Sequence, residues 1–134
     1  MANGSIATTI MKNTLLNRGF SSSPTYTAYS RAGIGTGTTT PAAADTGNTT
    51  PITAWNSGSD YKSYETSYPS FDEANKRVSV KMIVAATQAN SNTITEYCDF
   101  NTDATPRAGG HFVFTGIPKT SAVQINFTPT YRMV

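Results

Sequence analysis

Residues 76–86 read KRVSVKMIVAA. Every second residue from position 78 to position 84 is apolar: Val78, Val80, Met82 and Val84. The residues directly before the first three of them, at positions 77, 79 and 81, are charged or polar. Because successive side chains of a β-strand point to opposite faces, this alternation predicts a strand that buries one face.

Three further segments outside this stretch have the character of strands. They read NTITEYCDF at 92–100, GHFVFTGI at 110–117 and SAVQINFTPTYRMV at 121–134, and turn-forming residues cluster around 88–92, 101–110 and 116–120. Several short strands with frequent turns predict an all-β fold, a single antiparallel β-sandwich that is jelly-roll-like. Pro129 cannot donate a ladder hydrogen bond, so the last strand is expected at an edge or interrupted there. The predicted core consists of Val78, Val80, Met82, Val84, Ile94, Phe112, Phe114, Val123, Ile125 and Phe127.

The chain before position 25 is expected to be a separate N-terminal helix or arm, residues 1–24, attached to a sandwich domain at 25–134. Ile6, Ile10, Met11, Leu15 and Leu16 recur at helical spacing, with Ser5 placed as N-cap and Gly19 just past the helix end. β-Branched residues lower helix propensity in this segment, so an extended arm is the alternative.

The sandwich domain is expected to begin with a strand and a long loop. TYTAYSRAG at 25–33 predicts a strand that ends at Gly33, and residues 34–60 predict a long loop with short edge strands at most. The loop begins with Gly33, Gly35 and Gly37 but has no Gly-Lys-Ser/Thr sequence, which argues against a phosphate-binding loop. We interpret it as a shaped connection that makes contacts, and no cofactor is expected.

Composition limits the classes of function. The chain has 134 residues, 37% apolar and 13% charged, and a formal net charge of +2 without a basic stripe. One domain is expected, and nucleic acid is not an expected partner. No segment has the apolar length of a membrane span or of a signal-peptide core, so synthesis in the cytoplasm and no membrane partner are predicted. Cys98 is the only cysteine, which excludes an intrachain disulfide and a multi-cysteine zinc site.

Cys98 and His111 are the residues to consider for catalysis. On neighbouring strands they could form a nucleophilic pair, with Glu96 on the same face, but such a pair needs an orienting group and an open cleft. A buried apolar thiol and a hydrogen-bonded histidine are the simpler interpretation. The prediction is therefore that the protein is not an enzyme, with a Cys98–His111 hydrolase as one rival hypothesis.

Aromatic residues suggest a second rival hypothesis. Trp55, Tyr61 and Tyr64 lie close together in the sequence and resemble the aromatic platform of a carbohydrate-binding module. More often such residues line a sandwich core or a subunit interface, because Tyr and Trp bury a large area with a polar tip.

The order of these motifs resembles small virion structural proteins of tailed bacteriophages. Several of those proteins have a GTGTTxPAxxDT-like loop, here Gly35 to Thr46, and an IxE strand, here Ile94 and Glu96. A closing strand pair of the group corresponds to Phe114, Ile117 and Lys119. Tyr97-Cys98 stands where a glycine is common in the group, so the strand geometry there is expected to differ.

The resemblance implies a stand-alone β module of the virion that is assembled in the host cytoplasm. The chain stops at Val134 directly after its last strand, where attachment domains of fibres continue into a shaft. A capsid cement or decoration protein that forms a homotrimer on the major capsid protein is therefore favoured. A tail-collar, baseplate or fibre-attachment protein is the alternative. The expected interface residues are Ile6, Ile10, Leu15, Leu16, Thr38, Pro41, Trp55, Tyr61 and Tyr64.

Overall fold

A computed structural model describes residues 4–133, with one helix and ten strands in that range. In chain order they are β1 Gly4–Ala7, α1 Thr9–Phe20, β2 Tyr29–Gly35, β3 Lys62–Ser63, β4 Ser70–Asp72, β5 Arg77–Ser79, β6 Met82–Val84, β7 Thr93–Asn101, β8 Ala108–Pro118, β9 Ile125–Phe127 and β10 Thr130–Arg132. Every strand pairing is antiparallel. The predicted all-β, antiparallel character is therefore confirmed. No helix among the described residues is long and apolar enough to cross a membrane.

The central element is a five-stranded sheet in the order β1-β8-β7-β2-β3. Its middle strand β7 is buried from Ile94 to Asn101, which means that both faces of the sheet are covered. Tyr97 and Phe112 are cross-strand partners on one face, and Cys98 and His111 are partners on the other. Polar side chains on this strand must therefore find partners inside the protein.

Two smaller sheets, β10-β5-β4 and β6-β9, complete the fold. Met82 and Val84 of β6 and Ile125 of β9 form the main core with apolar side chains of the five-stranded sheet. The core residues on the large sheet side include Ala32, Ile34, Ile94 and Tyr97, and Trp55 joins them.

The stretch at 76–86 does not form one continuous strand as its alternation predicted. β5 ends at Ser79 and β6 begins at Met82, and the two strands belong to different sheets. Their partners β10 and β9 are interrupted at the matching place by Pro129, whose carbonyl accepts a hydrogen bond from Val80 N at 3.1 Å. Proline has no N–H to continue the ladder. The segment from β5 to β6 and the segment from β9 to β10 therefore both pass from one small sheet to the other at this point.

Most of the predicted core is confirmed. Val80, Met82, Val84, Ile94 and Ile125 are buried. The partly buried side chains that pack against this core are Phe112, Phe114, Val123 and Phe127. Val78 is wrong as a core residue: it is partly buried and lies outside the core clusters, opposite the exposed Phe71 in the three-stranded sheet.

The N-terminal segment contains both structures that the sequence left open. Ile6 lies in β1, opposite His111 of β8, and the helix follows directly. Ser5 was wrong as the N-cap, because Thr8 accepts a hydrogen bond from Met11 N with its hydroxyl. Gly19 was wrong as the helix end, because α1 continues to Phe20.

The predicted strand at 25–33 is displaced along the chain. β2 spans Tyr29–Gly35, because Thr27 N donates to the Asp103 carboxylate instead of joining a strand ladder. The loop therefore starts two residues later than expected. It contains only isolated bridges, Gly35 with Pro51 and Asn56 with Ser59.

Candidate functional site

The carboxylate of Glu96 holds the long loop between β2 and β3 against the five-stranded sheet. We call this loop, residues 36–61, the glycine-rich loop. Oε1 accepts hydrogen bonds from Gly37 N and Thr50 N, each at 2.8 Å. Oε2 accepts from Thr49 N at 2.8 Å and from the Thr49 hydroxyl at 2.9 Å. Glu96 is fully buried, so these donors replace the water that a carboxylate would otherwise bind.

Two glycines of the loop are explained by this close approach. A Cβ atom on Gly35 or on Gly37 would collide with the Glu96 carboxylate. Thr95, next to Glu96, donates its hydroxyl to the Gly37 carbonyl at 2.6 Å. The alternating glycines therefore leave room for the buried Glu96 side chain. In this sense the loop is a shaped connection.

His111 joins Glu96 to Asp45, another residue of the same loop. Its Nδ1 lies 2.7 Å from Asp45 Oδ2 and its Nε2 lies 3.0 Å from Glu96 Oε2. The imidazole is fully buried, which would lower its pKa, but hydrogen bonds to Glu96 and Asp45 outweigh burial and raise the pKa above 6.5. Burial would raise the pKa of Glu96, yet the hydrogen bonds from His111 and the loop amides lower it to about 2. We call Asp45, Glu96 and His111 the charge cluster.

The opposite face of β7 contains a second buried carboxylate, Asp99. Its Oδ1 accepts hydrogen bonds from the hydroxyls of Tyr64 and Tyr97, each at 2.6 Å, and its Oδ2 accepts from the Tyr131 hydroxyl. Burial raises the pKa of Asp99 to about 6, although the three tyrosine hydrogen bonds oppose that rise. Burial and the neighbouring carboxylate also raise the pKa values of the three tyrosines. This arrangement connects β7 to β10 and to the segment after β3.

Cys98 and His111 are cross-strand partners, but the structure does not give them the relation of a nucleophile and its base. Both ring nitrogens of His111 are occupied by carboxylates. The Cys98 thiol is fully buried, and burial together with nearby Asp99 raises its pKa well above 9.0. A high pKa disfavours the thiolate that would attack a substrate.

The three aromatic residues of the predicted platform lie in separate environments. Trp55 is buried in the main core, and its Nε1 donates to the Asp60 carbonyl at 2.7 Å. Tyr64 packs against the same core with its hydroxyl on Asp99. Tyr61 packs against the other core cluster, beside Phe100. They do not form one exposed aromatic surface.

The predicted interface residues outside this aromatic group lie on the N-terminal segment and on the glycine-rich loop. Leu15 and Leu16 are 51% and 57% exposed on α1, and Thr38 is also exposed, whereas Ile6, Ile10 and Pro41 are partly buried. Thr9 N at the start of α1 donates to the Ala43 carbonyl at 2.8 Å. The N-terminal segment and the glycine-rich loop thus adjoin.

Sequence reasoning singled out Glu96 without assigning partners to its carboxylate, and it missed Lys119 as a buried residue. Lys119 Nζ donates to Ala86 O at 3.0 Å, to Asn90 Oδ1 at 2.8 Å and to Thr120 O at 2.9 Å. Burial lowers its pKa. For the polar residues of β7, the signal in the sequence was their occurrence inside the predicted strand, in the run TEYCD. Such residues require internal partners once the strand is buried. Residues 4–133 contain no group of three His, Cys, Asp or Glu side chains arranged to hold a metal ion.

The comparisons with known proteins add no relative. No protein-family model matches the chain, and neither the curated proteins nor the solved structures contain a significant match.

Proposed function

We propose that the chain is a structural component of a bacteriophage virion, a capsid cement or decoration protein that acts as a homotrimer. The positions of the resemblance support a structural role. Gly35 and Gly37 of the loop motif surround Glu96 of the strand motif, and Lys119 of the closing motif secures a turn. These positions stabilise the fold, as expected of a protein that serves as a rigid building block.

The observation on which the proposal mainly rests is the apolar surface of α1. Only Met11 and Thr14 of the helix are buried, while Leu15, Leu16 and Phe20 are 51%, 57% and 87% exposed. A cluster of exposed large apolar residues on one short helix is typical of an interaction surface. Association with other copies would remove these side chains from water.

The fold proposed for this role is a jelly-roll-like β-sandwich. Met82 of the two-stranded sheet packs in the core of the five-stranded sheet, and Tyr131 of the three-stranded sheet binds Asp99 on it. These contacts support a second layer on one face. The loop that surrounds Glu96 covers the other face.

A non-enzymatic role fits the state of the reactive groups. His111 is buried between two carboxylates and the Cys98 thiol has a raised pKa. A Cys98–His111 hydrolase would need an accessible thiolate and an available base. Neither requirement is met by the arrangement around these two residues.

The oligomer is tested by sedimentation velocity on the purified protein. We expect a trimer, and we expect Leu16→Ser with Phe20→Ser to shift it towards monomer because apolar interface area is lost. The matched control is Lys12→Ser with Asn13→Ser, two exposed positions on the same helix, which should remain trimeric. A wild-type monomer at all concentrations would contradict the proposed trimer.

The location is tested with a labelled antibody on purified virions of a phage that encodes the chain. Label over the capsid shell supports the cement role. Label confined to the tail would replace it with the collar, baseplate or fibre-attachment alternative. Virions without label would refute a virion role altogether.

A further inference from the structure

A small cleft lies beside the charge cluster, on the same side of the five-stranded sheet. Its volume is about 200 Å³, and its lining includes Gly33, Asn48, Asp60, Tyr61 and Phe100. The rings of Tyr61 and Phe100 are 4.9 Å apart, centroid to centroid, and inclined at 60°. They provide adjoining apolar walls, with polar groups close by.

The polar groups of the cleft include hydrogen-bond acceptors without donors. Asn48 Oδ1 is a buried atom with no hydrogen-bond partner, the one such side-chain atom found in residues 4–133. Asp60 uses Oδ1 to accept from Ala54 N at 2.6 Å, and no hydrogen bond to Oδ2 occurs in the described part of the chain. A buried acceptor without a partner is costly, and a ligand that donates hydrogen bonds would offset this cost.

Asn48 is held in place by its neighbours. The next two residues, Thr49 and Thr50, donate their backbone N–H groups to Glu96. A shift of the backbone that recovered the missing hydrogen bond would break bonds to a buried carboxylate. Because Asn48 Oδ1 is shielded from solvent, a hydroxyl in the cleft reaches it once the amide turns about the last side-chain bond.

The charges around the cleft favour a neutral ligand. The Arg31 guanidinium lies 4.5 Å from the centre of the Tyr61 ring, so a cationic ligand would meet a like charge. The Asp60 carboxylate would repel an anion. Neutral hydroxyl groups can donate to Asn48 and Asp60 without either penalty.

We propose that this cleft binds a single neutral sugar ring or a polyol of similar size. The C–H face of the ligand packs on Tyr61 and Phe100, and adjacent hydroxyls donate to Asn48 Oδ1 and Asp60 Oδ2. The site shares only Tyr61 with the aromatic platform that the sequence suggested. It is also independent of the virion role, since it requires neither α1 nor a second copy.

A substitution at Gly33 can block the cleft, because this residue is part of its lining. A Cβ at this position would lie 3.5 Å from ring atoms of both Tyr61 and Phe100 and 3.3 Å from the Asp60 carbonyl. Gly33→Ala therefore places a methyl group where the ligand would sit. Gly19→Ala is the matched control, because a Cβ there has no neighbour within 4 Å.

The test is an NMR titration with methyl glucoside, methyl galactoside, N-acetylglucosamine and glycerol. We expect saturable shifts of the Tyr61 and Phe100 signals with at least one of them, at millimolar concentrations. Gly33→Ala should weaken binding about tenfold or more, whereas Gly19→Ala should leave it unchanged. Asn48→Ala is the second variant and should also weaken binding, which keeps the test valid if Gly33→Ala does not fold.

Two results would overturn the proposal. One is the absence of saturable shifts with all four probes. The other is binding that both cleft variants leave intact. The virion role is judged separately by oligomeric state and particle location, so either proposal can fail alone.

Discussion

At the scale of single residues, Glu96 is the side chain on which the glycine-rich loop depends. Glu96→Gln keeps the shape but removes the charge that pairs with His111, and it sets an amide N–H₂ group against backbone donors. Removing one partner of a buried ion pair typically costs about 3–5 kcal/mol. We expect a loss of that size in the free energy of unfolding, measured by urea denaturation.

The control for this substitution is Glu73→Gln, at an exposed carboxylate. Exposed substitutions usually change stability by less than about 0.5 kcal/mol. Equal losses in the two variants would show that the hydrogen bonds around Glu96 do not stabilise the fold.

At the scale of elements, Thr8 links the start of α1 to the five-stranded sheet. Its hydroxyl accepts from Met11 N and donates to the Ala108 carbonyl of β8, each at 3.1 Å, and the residue is fully buried. Loss of an N-cap costs about 0.5–2 kcal/mol, and the Ala108 carbonyl would lose a donor as well. We expect Thr8→Ala to lower the free energy of unfolding by about 2 kcal/mol in urea denaturation.

Thr9→Ala is the neighbouring control, at an exposed residue of the first helical turn. Alanine has the higher helix propensity, so this variant should be neutral or slightly stabilising. If Thr8→Ala behaves in the same way, the cap and the contact with β8 are not the elements that position α1.

At the scale of the whole molecule, three buried groups predict how stability depends on pH. The Glu96 pKa is about 2 in the folded chain and ordinarily 4.5, so its contribution is lost as the pH falls through that window. The Asp99 pKa is about 6 and ordinarily 3.8, so its contribution is present below 3.8 and lost as the pH rises to about 6. The raised His111 pKa extends the loss on the alkaline side, from 6.5 upwards.

Stability is therefore expected to be greatest near pH 4, where the gain from Glu96 and the loss from Asp99 balance, and to fall by about 2 kcal/mol towards pH 6.5, at about 1.4 kcal/mol for each unit of pKa shift. Urea denaturation across this range measures the fall. Asp99→Asn should remove the part between pH 4 and pH 6 and leave the fall caused by His111. A wild-type stability that rises steadily from pH 4 to pH 7 would contradict the burial argument.

The amino-acid sequence by itself determined the all-β class and most of the core. Alternation identified Val80, Met82 and Val84 as buried because side-chain direction along a strand is a local property. Pro129 marked a break for the same reason, since the missing N–H belongs to the residue itself. Ser5 was wrong as a cap because its preference for helix ends was overruled by pairing of β1 with β8, which is not a local event.

Only the tertiary structure decided what the polar residues of β7 do. Sequence placed Glu96 and His111 on neighbouring strands, but it gave no means to choose Asp45 and the Gly37, Thr49 and Thr50 amides as their partners. Likewise, nothing in the local pattern joins Asp99 to Tyr64 and Tyr131, 35 and 32 residues away. A buried carboxylate takes whichever donors the covering chain brings to it, and that depends on how distant segments pack.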